Sequence, residues 1–242
     1  MAGQALAQSD TAPTQKATQS DFSLQANVSL VSQYRVRGLM QTDNKPALQG
    51  GLDLTHSSGF YVGNWNSSIT WLSDSDDRVS APVEMDFYGG YTTKVWKDLS
   101  VDLGAIRYYY PGSFPSGYVS PDTTEVYAGV GYGPVSFKYS QSVTNLFGTP
   151  GSRNSQYYDL KGSFPTGLWG LTADAHVGYQ RVRGLSDGSY TDWLLGVSKG
   201  WKNGLTVSLD YIGTNANRDV YTNSKGMYMG RSTALLSATE RF

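Results

Sequence analysis

From residue 21 onward the chain alternates apolar and polar residues in segments of about ten to fourteen, joined by connections that are in turn long and very short. A strand sends successive side chains to opposite faces, so each segment makes a wall with one apolar and one polar side. Twelve segments follow this rule: 22–37, 46–56, 60–72, 83–95, 99–110, 123–132, 135–146, 155–164, 168–181, 190–199, 205–213 and 232–242. The clearest, 168–181, sets Trp169, Leu171, Ala173, Ala175, Val177 and Tyr179 against Thr172, Asp174, His176 and Gln180. In 60–72 the same reading sends Tyr61, Trp65, Ile69 and Trp71 outward and Asn64, Asn66, Ser68 and Thr70 inward. In 99–110 it points Arg107 outward unless a bulge intervenes.

Five connections are tight and rich in turn residues: 56–59, 96–98, 133–134, 165–167 and 201–204. Six are longer: 38–45, 73–82, 111–122, 147–154, 182–189 and 214–231. Strict exchange of short turns and long loops between amphipathic strands predicts an all-β fold, a 12-stranded antiparallel up-and-down transmembrane β-barrel over 21–242. The last segment (STALLSATERF) ends on Phe242, and its edge has to pair with the first strand, because unpaired backbone is costly in lipid. The even strand count predicts both termini on the periplasmic side of a bacterial outer membrane. Aromatic residues beside the short turns (Phe60, Trp96, Tyr132, Phe137, Phe164, Trp169, Trp201), with Phe242, suit an interfacial girdle. A soluble sandwich would supply strands at this rate, but not the long and short connections together with the girdle.

Composition narrows the partners. No apolar run approaches the roughly 20 residues of a membrane-spanning helix, and there is no cysteine. A net charge of −1 argues against nucleic acid. Ala5-Leu6-Ala7 has the small-residue pattern of a signal-peptide cleavage site, and the polar stretch after it reads as a disordered tail, so 1–20 is expected to be a signal-peptide remnant and tail.

The stretches NVSLVSQYRVRG (27–38), QGGLDLTH (49–56), YVGNWNSSI (61–69), EMDFYGGY (84–91) and YYYPG (108–112) resemble the TorF-type porin family of proteobacteria, also described as a Gcw_chp domain of unknown function. The resemblance covers nearly all of 22–242 and implies an outer-membrane barrel, with no catalytic residues to carry over. Glu240 stands where such barrels more often carry an apolar residue.

A twelve-stranded barrel has a backbone diameter of about 24 Å, so inward side chains decide whether it conducts. The alternation turns Asp53, Glu84, Asp86, Asp102, Glu125, Asp159, Asp174, Asp192 and Asp210 inward, with Arg35, Arg37, Lys138 and Lys161 as cations and His176 beside Asp174. Charges inside a barrel need water or a partner. One reading is a hydrated pore that passes small polar or charged solutes by passive diffusion. The other is a paired network sealing a structural barrel that contacts envelope components. Inward glycines, among them Gly51, Gly90, Gly104, Gly129 and Gly162, leave space for the pore.

Arg35 and Arg37 are expected at the outer mouth on the level of Glu84, Asp86, Glu125 and Asp192, making a transverse field that orients dipolar solutes. Basic loop residues such as Arg107, Arg181 and Arg183 suit lipopolysaccharide phosphates. The final strand, ending at Phe242, suits the barrel-assembly machinery, and a second copy or an envelope protein is an open partner. The loop 214–231, with Tyr221, Met227, Tyr228 and Met229, is expected over the mouth or against a partner. Asp174-x-His176 is the one pair a barrel hydrolase could use, set against a simple lumen hydrogen bond. No metal-ligand cluster or phosphate loop is discernible, so no cofactor is expected.

Overall fold

The computed structural model describes residues 20–242. Its elements run β1 (Phe22–Val31), β2 (Arg35–Val36), β3 (Leu39–Met40), β4 (Ala47–His56), β5 (Phe60–Ser68), α1 (Trp71–Ser75), β6 (Val83–Trp96) and β7 (Leu99–Tyr109), followed by β8 (Thr123–Tyr132), β9 (Val135–Ser142), β10 (Gln156–Pro165), β11 (Leu171–Arg181), β12 (Tyr190–Gly200), β13 (Thr206–Thr214) and β14 (Thr233–Arg241). Twelve of these close into an antiparallel barrel in chain order, while β2 and β3 form a separate hairpin. The seam pairs β1 with β14 from Asn27↔Arg241 to Val31↔Ser237. Backbone bonds extend it at both ends: Phe242 N donates to Ala26 O (2.9 Å) and Ser32 N to Leu236 O (2.8 Å). The barrel therefore has no open edge.

Tight turns gather at one end of the barrel, the turn end, and long loops at the other, the loop end. The outer wall is apolar, with Leu24 67%, Leu48 62%, Leu103 58% and Leu195 66% exposed. A belt of this size on a closed strand wall suits lipid rather than water. No helix among the described residues is long and apolar enough to cross a membrane, so crossing falls to the strands. The signal-peptide reading of 1–20 lies, apart from Ser20, outside the described residues.

Four segment ends and one strand facing differ from the sequence reading. The first segment leaves the wall at Val31 instead of running to 37, and its remainder folds inward. The third stops at Ser68, and α1 occupies part of its expected end. The seventh stops at Ser142 rather than 146, and the ninth starts at Leu171, with Trp169 left in the turn at φ 52° and 84% exposed.

In β5 the faces are reversed. Leu52↔Asn64 and Leu54↔Val62 pair across β4 and β5, so Asn64 takes the same outer face as the exposed Leu52. Tyr61 and Trp65 turn into the lumen, where the Tyr61 hydroxyl donates to Asp102 (2.7 Å). The outward amide groups donate locally. Asn66 Nδ2 donates to Asn64 Oδ1 (2.5 Å) and to Gly50 O (3.3 Å), and Asn64 Nδ2 donates to Asp86 O (3.1 Å).

Gly162 is also an outer-face residue, paired with the outward Ala175 and covered by the Phe164 ring. No bulge intervenes in β7; the irregularity lies at Lys94/Trp96, and Arg107 points outward to pair with Asp122 at 2.8 Å. Glu240 pairs opposite the outward Val28, which puts it on the outer face at the turn end.

The buried apolar cluster sits in the loops rather than the wall. Val31, Tyr34, Ala47, Ile69, Leu72, Val79, Ala81 and Tyr110 pack together at the loop end, with Trp71, Phe114 and Phe147 against them. The loops thus form a folded cap at the loop end.

Candidate functional site in the lumen

The β2–β3 hairpin folds into the lumen. Val36 pairs with Leu39, leaving Arg37 and Gly38 as its two-residue turn, with φ of 49° and 78°. Two successive left-handed residues are the geometry of a type I′ turn, whose twist matches a hairpin. Glycine adopts it freely, whereas arginine is held there at a cost of order 1 kcal/mol. Gly38 is also required by space: a Cβ would stand 2.8 Å from Asp192 Cβ and 3.0 Å from Thr214 Cβ. The turn therefore crosses from β1 to the wall at β12 and β13.

The strain at Arg37 places its guanidinium. Nη2 meets Glu125 of β8 at 2.6 Å, Nη1 donates to Gln180 of β11 at 2.6 Å, and the group lies 4.2 Å from the ring centroid of Tyr157 in β10. Burial works against this charge, but the adjacent Glu125 outweighs it and holds the Arg37 pKa above the ordinary arginine value. Arg35 is different. It is 3% exposed and donates to Gln33 Oε1 (2.8 and 2.9 Å), Met229 O (2.9 Å) and Gly38 O (3.2 Å). With no carboxylate in ion-pair range among the described residues, burial lowers its pKa to about 10.

The expected lumen acids are distributed among separate partners. Glu84 accepts the hydroxyls of Tyr34 (2.6 Å) and Tyr110 (2.7 Å). Asp86 is 1% exposed, and neither carboxylate oxygen has a hydrogen-bond partner among the described residues. Asp53 accepts from Tyr88 (2.6 Å) and Asp102 from Tyr61 (2.7 Å). Asp210 accepts from Ser208 (2.7 Å). Asp159 pairs with Lys161 (2.9 Å), while the Lys138 amine lies 5.3 Å from the Tyr127 ring with no carboxylate in ion-pair range among the described residues.

Asp174 and His176 share the inward face but do not meet as a dyad. His176 lies between Asp159 (Nδ1, 2.9 Å) and Asp192 (Nε2, 2.7 Å), an arrangement completed when both ring nitrogens carry protons. Asp174 instead accepts from Ser163 and Ser198, both at 2.6 Å. The expected transverse field is likewise altered: of the four mouth acids only Glu125 meets an arginine, and Asp192 belongs to His176.

Three cavities surround the hairpin. A vestibule of about 220 Å³ opens at the loop end between Val36, Leu39, Trp71, Tyr110, Phe147, Tyr190 and Tyr221. A chamber of about 150 Å³ lies toward the turn end between Asp102, Tyr127, Lys138, Asp159 and Lys161. Arg37 is the one lining residue they share. A third cavity, about 230 Å³, runs below Arg35 between Gln33, Gln49, Trp65, Asp210, Thr239 and Arg241.

Over the vestibule the loop 214–231 is tied down: Met40 N donates to Met229 O (3.0 Å), Ser224 Oγ to Asp74 O (2.8 Å), and Lys225 pairs with Asp74. The tyrosines that hold the lumen acids and the Arg37–Gly38 turn escaped the sequence reading, which had Gln180 inward but not as a partner of Arg37. Strict alternation turns Tyr88 and Tyr110 inward, whereas Tyr61 was read outward, and the turn shows as an X-Gly pair between Val36 and Leu39.

Comparison with known proteins fits this geometry. A family model described as "Bacterial protein of unknown function (Gcw_chp)" matches residues 15–242. The chain belongs to the Gcw_chp family. The Gcw_chp barrel is similar in structure to the KdgM porin, with a TM-score of 0.54 at 9% identity over 90% of this chain and 98% of that one. It is also similar to the NanC porin, with a TM-score of 0.51 at 10% identity over the same shares of the two chains. A further KdgM structure, with TM-score 0.53 at 8% identity over 90% of this chain and 97% of that one, is described in complex with disordered oligogalacturonate. No curated protein matches the Gcw_chp sequence. At these identities the likeness is one of fold: the Gcw_chp chain has the barrel of outer-membrane porins.

Proposed function

We propose that this Gcw_chp protein is an outer-membrane channel that passes small polar or charged solutes by diffusion, with its narrowest point at Arg37. The carrying observation is that vestibule and chamber, on either side of the hairpin, share that one residue. A solute moving between them has to pass the guanidinium, where its acceptors can replace Glu125 or Gln180. In this reading the loop end faces outward and both termini are periplasmic. Outward-facing Arg107, Arg181 and Arg183 lie toward lipopolysaccharide phosphates, and β14 is the strand offered to the assembly machinery. The KdgM complex with oligogalacturonate supports a barrel of this shape handling hydrophilic solutes.

Planar-bilayer recording on the purified full chain tests the proposal. Discrete conductance steps are expected, with larger steps in Arg37→Ala, because the substitution removes the side chain between the two cavities. The Arg37–Glu125 pair also favours a second reading, a barrel sealed at rest. No conductance in the parent chain together with conductance in Arg37→Ala would replace the channel with that barrel.

A further inference from the structure

We propose that the vestibule is a binding site for a small apolar α-amino acid, taken up as its zwitterion. The inference deepens the channel reading and rests on it only for the role of the site in transport. An apolar cavity of about 150 Å³ holds a benzene ring, so the vestibule, at about 220 Å³, has room for a branched or aromatic side chain plus its head groups. Leu146, Phe147, Val182, Leu185 and Met229 supply apolar wall for that side chain. Water filling such a wall would gain little, whereas an apolar side chain leaves water to enter it.

Two opposite charges border the same cavity. Arg37 has five N–H donors, of which Glu125 and Gln180 take one each. The remaining donors suit a carboxylate. Among the described residues Glu84 has no cation in ion-pair range: both its side-chain bonds come from neutral tyrosine hydroxyls, and a carboxylate has about four acceptor positions. An ammonium at Glu84 would also meet the rings of Trp71 and Tyr110, which pack edge to face at 5.6 Å and line the vestibule with it. A solute bearing one head group satisfies half of this arrangement and leaves the other charge facing an apolar body.

The test is titration of the full chain in detergent, followed by tryptophan fluorescence and calorimetry, with Trp71→Phe identifying the reporter. L-Leucine is expected to bind saturably, at least about tenfold tighter than 4-methylpentanoate, which lacks the ammonium, or 3-methylbutylamine, which lacks the carboxylate. Glu84→Gln should weaken leucine about tenfold and erase its advantage over 4-methylpentanoate. Leu185→Trp, a loop substitution that fills the cavity and leaves the wall strands untouched, should abolish leucine binding with the β-sheet circular dichroism unchanged. Equal binding of either single-headed analogue, or no leucine binding, overturns the proposal. Leucine binding without conductance would remove only the channel reading; conductance that leucine neither joins nor blocks would remove only the amino-acid site.

Discussion

The lumen differs on the two sides of the hairpin. Toward β8–β11 the chamber is lined by full charges, Arg37, Asp102, Glu125, Lys138, Asp159 and Lys161. Toward β14, β1 and β4 the cavity under Arg35 mixes amides and hydroxyls (Asn27, Ser29, Gln33, Gln49, Ser237 and Thr239) with apolar side chains, and its other charges are Asp210 and Arg241. One hairpin feeds an arginine to each side. Arg37 is clasped by a carboxylate, whereas Arg35 is held by neutral oxygens. The same residue type, two positions apart, is therefore a latch in one place and a buried unpaired cation in the other. In the proposed channel, the more highly charged side is where solute chemistry would be read.

The comparison breaks most completely if the hairpin is removed. Deleting 34–41 should join the cavities on both sides and raise single-channel conductance several-fold in planar bilayers, since the hairpin crosses the lumen and its turn touches Asp192 and Thr214. Unchanged conductance would mean that the loop does not set the narrow point.

Arg37→Gln is the next largest. It leaves Glu125, 2% exposed, as an unpaired buried anion, and breaking one side of a buried pair costs about 3–5 kcal/mol. Urea unfolding of the folded protein from lipid vesicles should show a loss of that order, with the reversal potential moved toward cation preference. Arg35→Gln should differ in sign or be close to neutral, because it removes a buried charge that no carboxylate balances.

The pH dependence sharpens this contrast. Arg35 is a base whose folded pKa lies near 10, below its unfolded value, so its charged form destabilises the fold. That penalty is complete below the folded value and disappears as pH rises toward the unfolded one. Any stability advantage of Arg35→Gln over the parent should therefore be present at pH 8 and shrink above pH about 10. A constant gap would show that Arg35 stays charged throughout.

Most of the wall was legible because lipid enforces a simple rule on it: apolar residues point out, and period two reports the facing. The rule failed in β5, where Tyr61 and Trp65 are amphipathic enough to face the lumen and Asn64 and Asn66 bond to each other and to backbone carbonyls. Phe60 and Val62, both strongly exposed, carried the right phase. The constriction was less legible. Residues 34–37 continue the alternation of β1, so nothing local says that the chain leaves the wall at Val31; the inward fold is decided by Glu125, Gln180 and Tyr157, about 90 to 145 residues downstream. His176 was expected beside Asp174 on its own strand, yet its partners come from the adjacent strands, Asp159 of β10 and Asp192 of β12. Alternation along one strand gives facing; cross-strand level decides partnership.

The smallest effect belongs to the loop that covers the vestibule. Lys225 reaches Asp74 from a position 55% exposed, while Asp74 is 6% exposed and also accepts from Thr70. An ion pair with one end in water is weakened by salt and by the entropy of a long side chain. Lys225→Gln should therefore change the frequency of brief current closures by a factor on the order of two, and only at low ionic strength. The loop keeps its other ties, Met229 O to Met40 and Ser224 to the Asp74 carbonyl, so it should stay over the mouth. A large, salt-independent change would place control of the pore in this cover rather than in the Arg37 latch beneath it, and the contrast between the two sides of the hairpin would then matter less than the contrast between hairpin and cover.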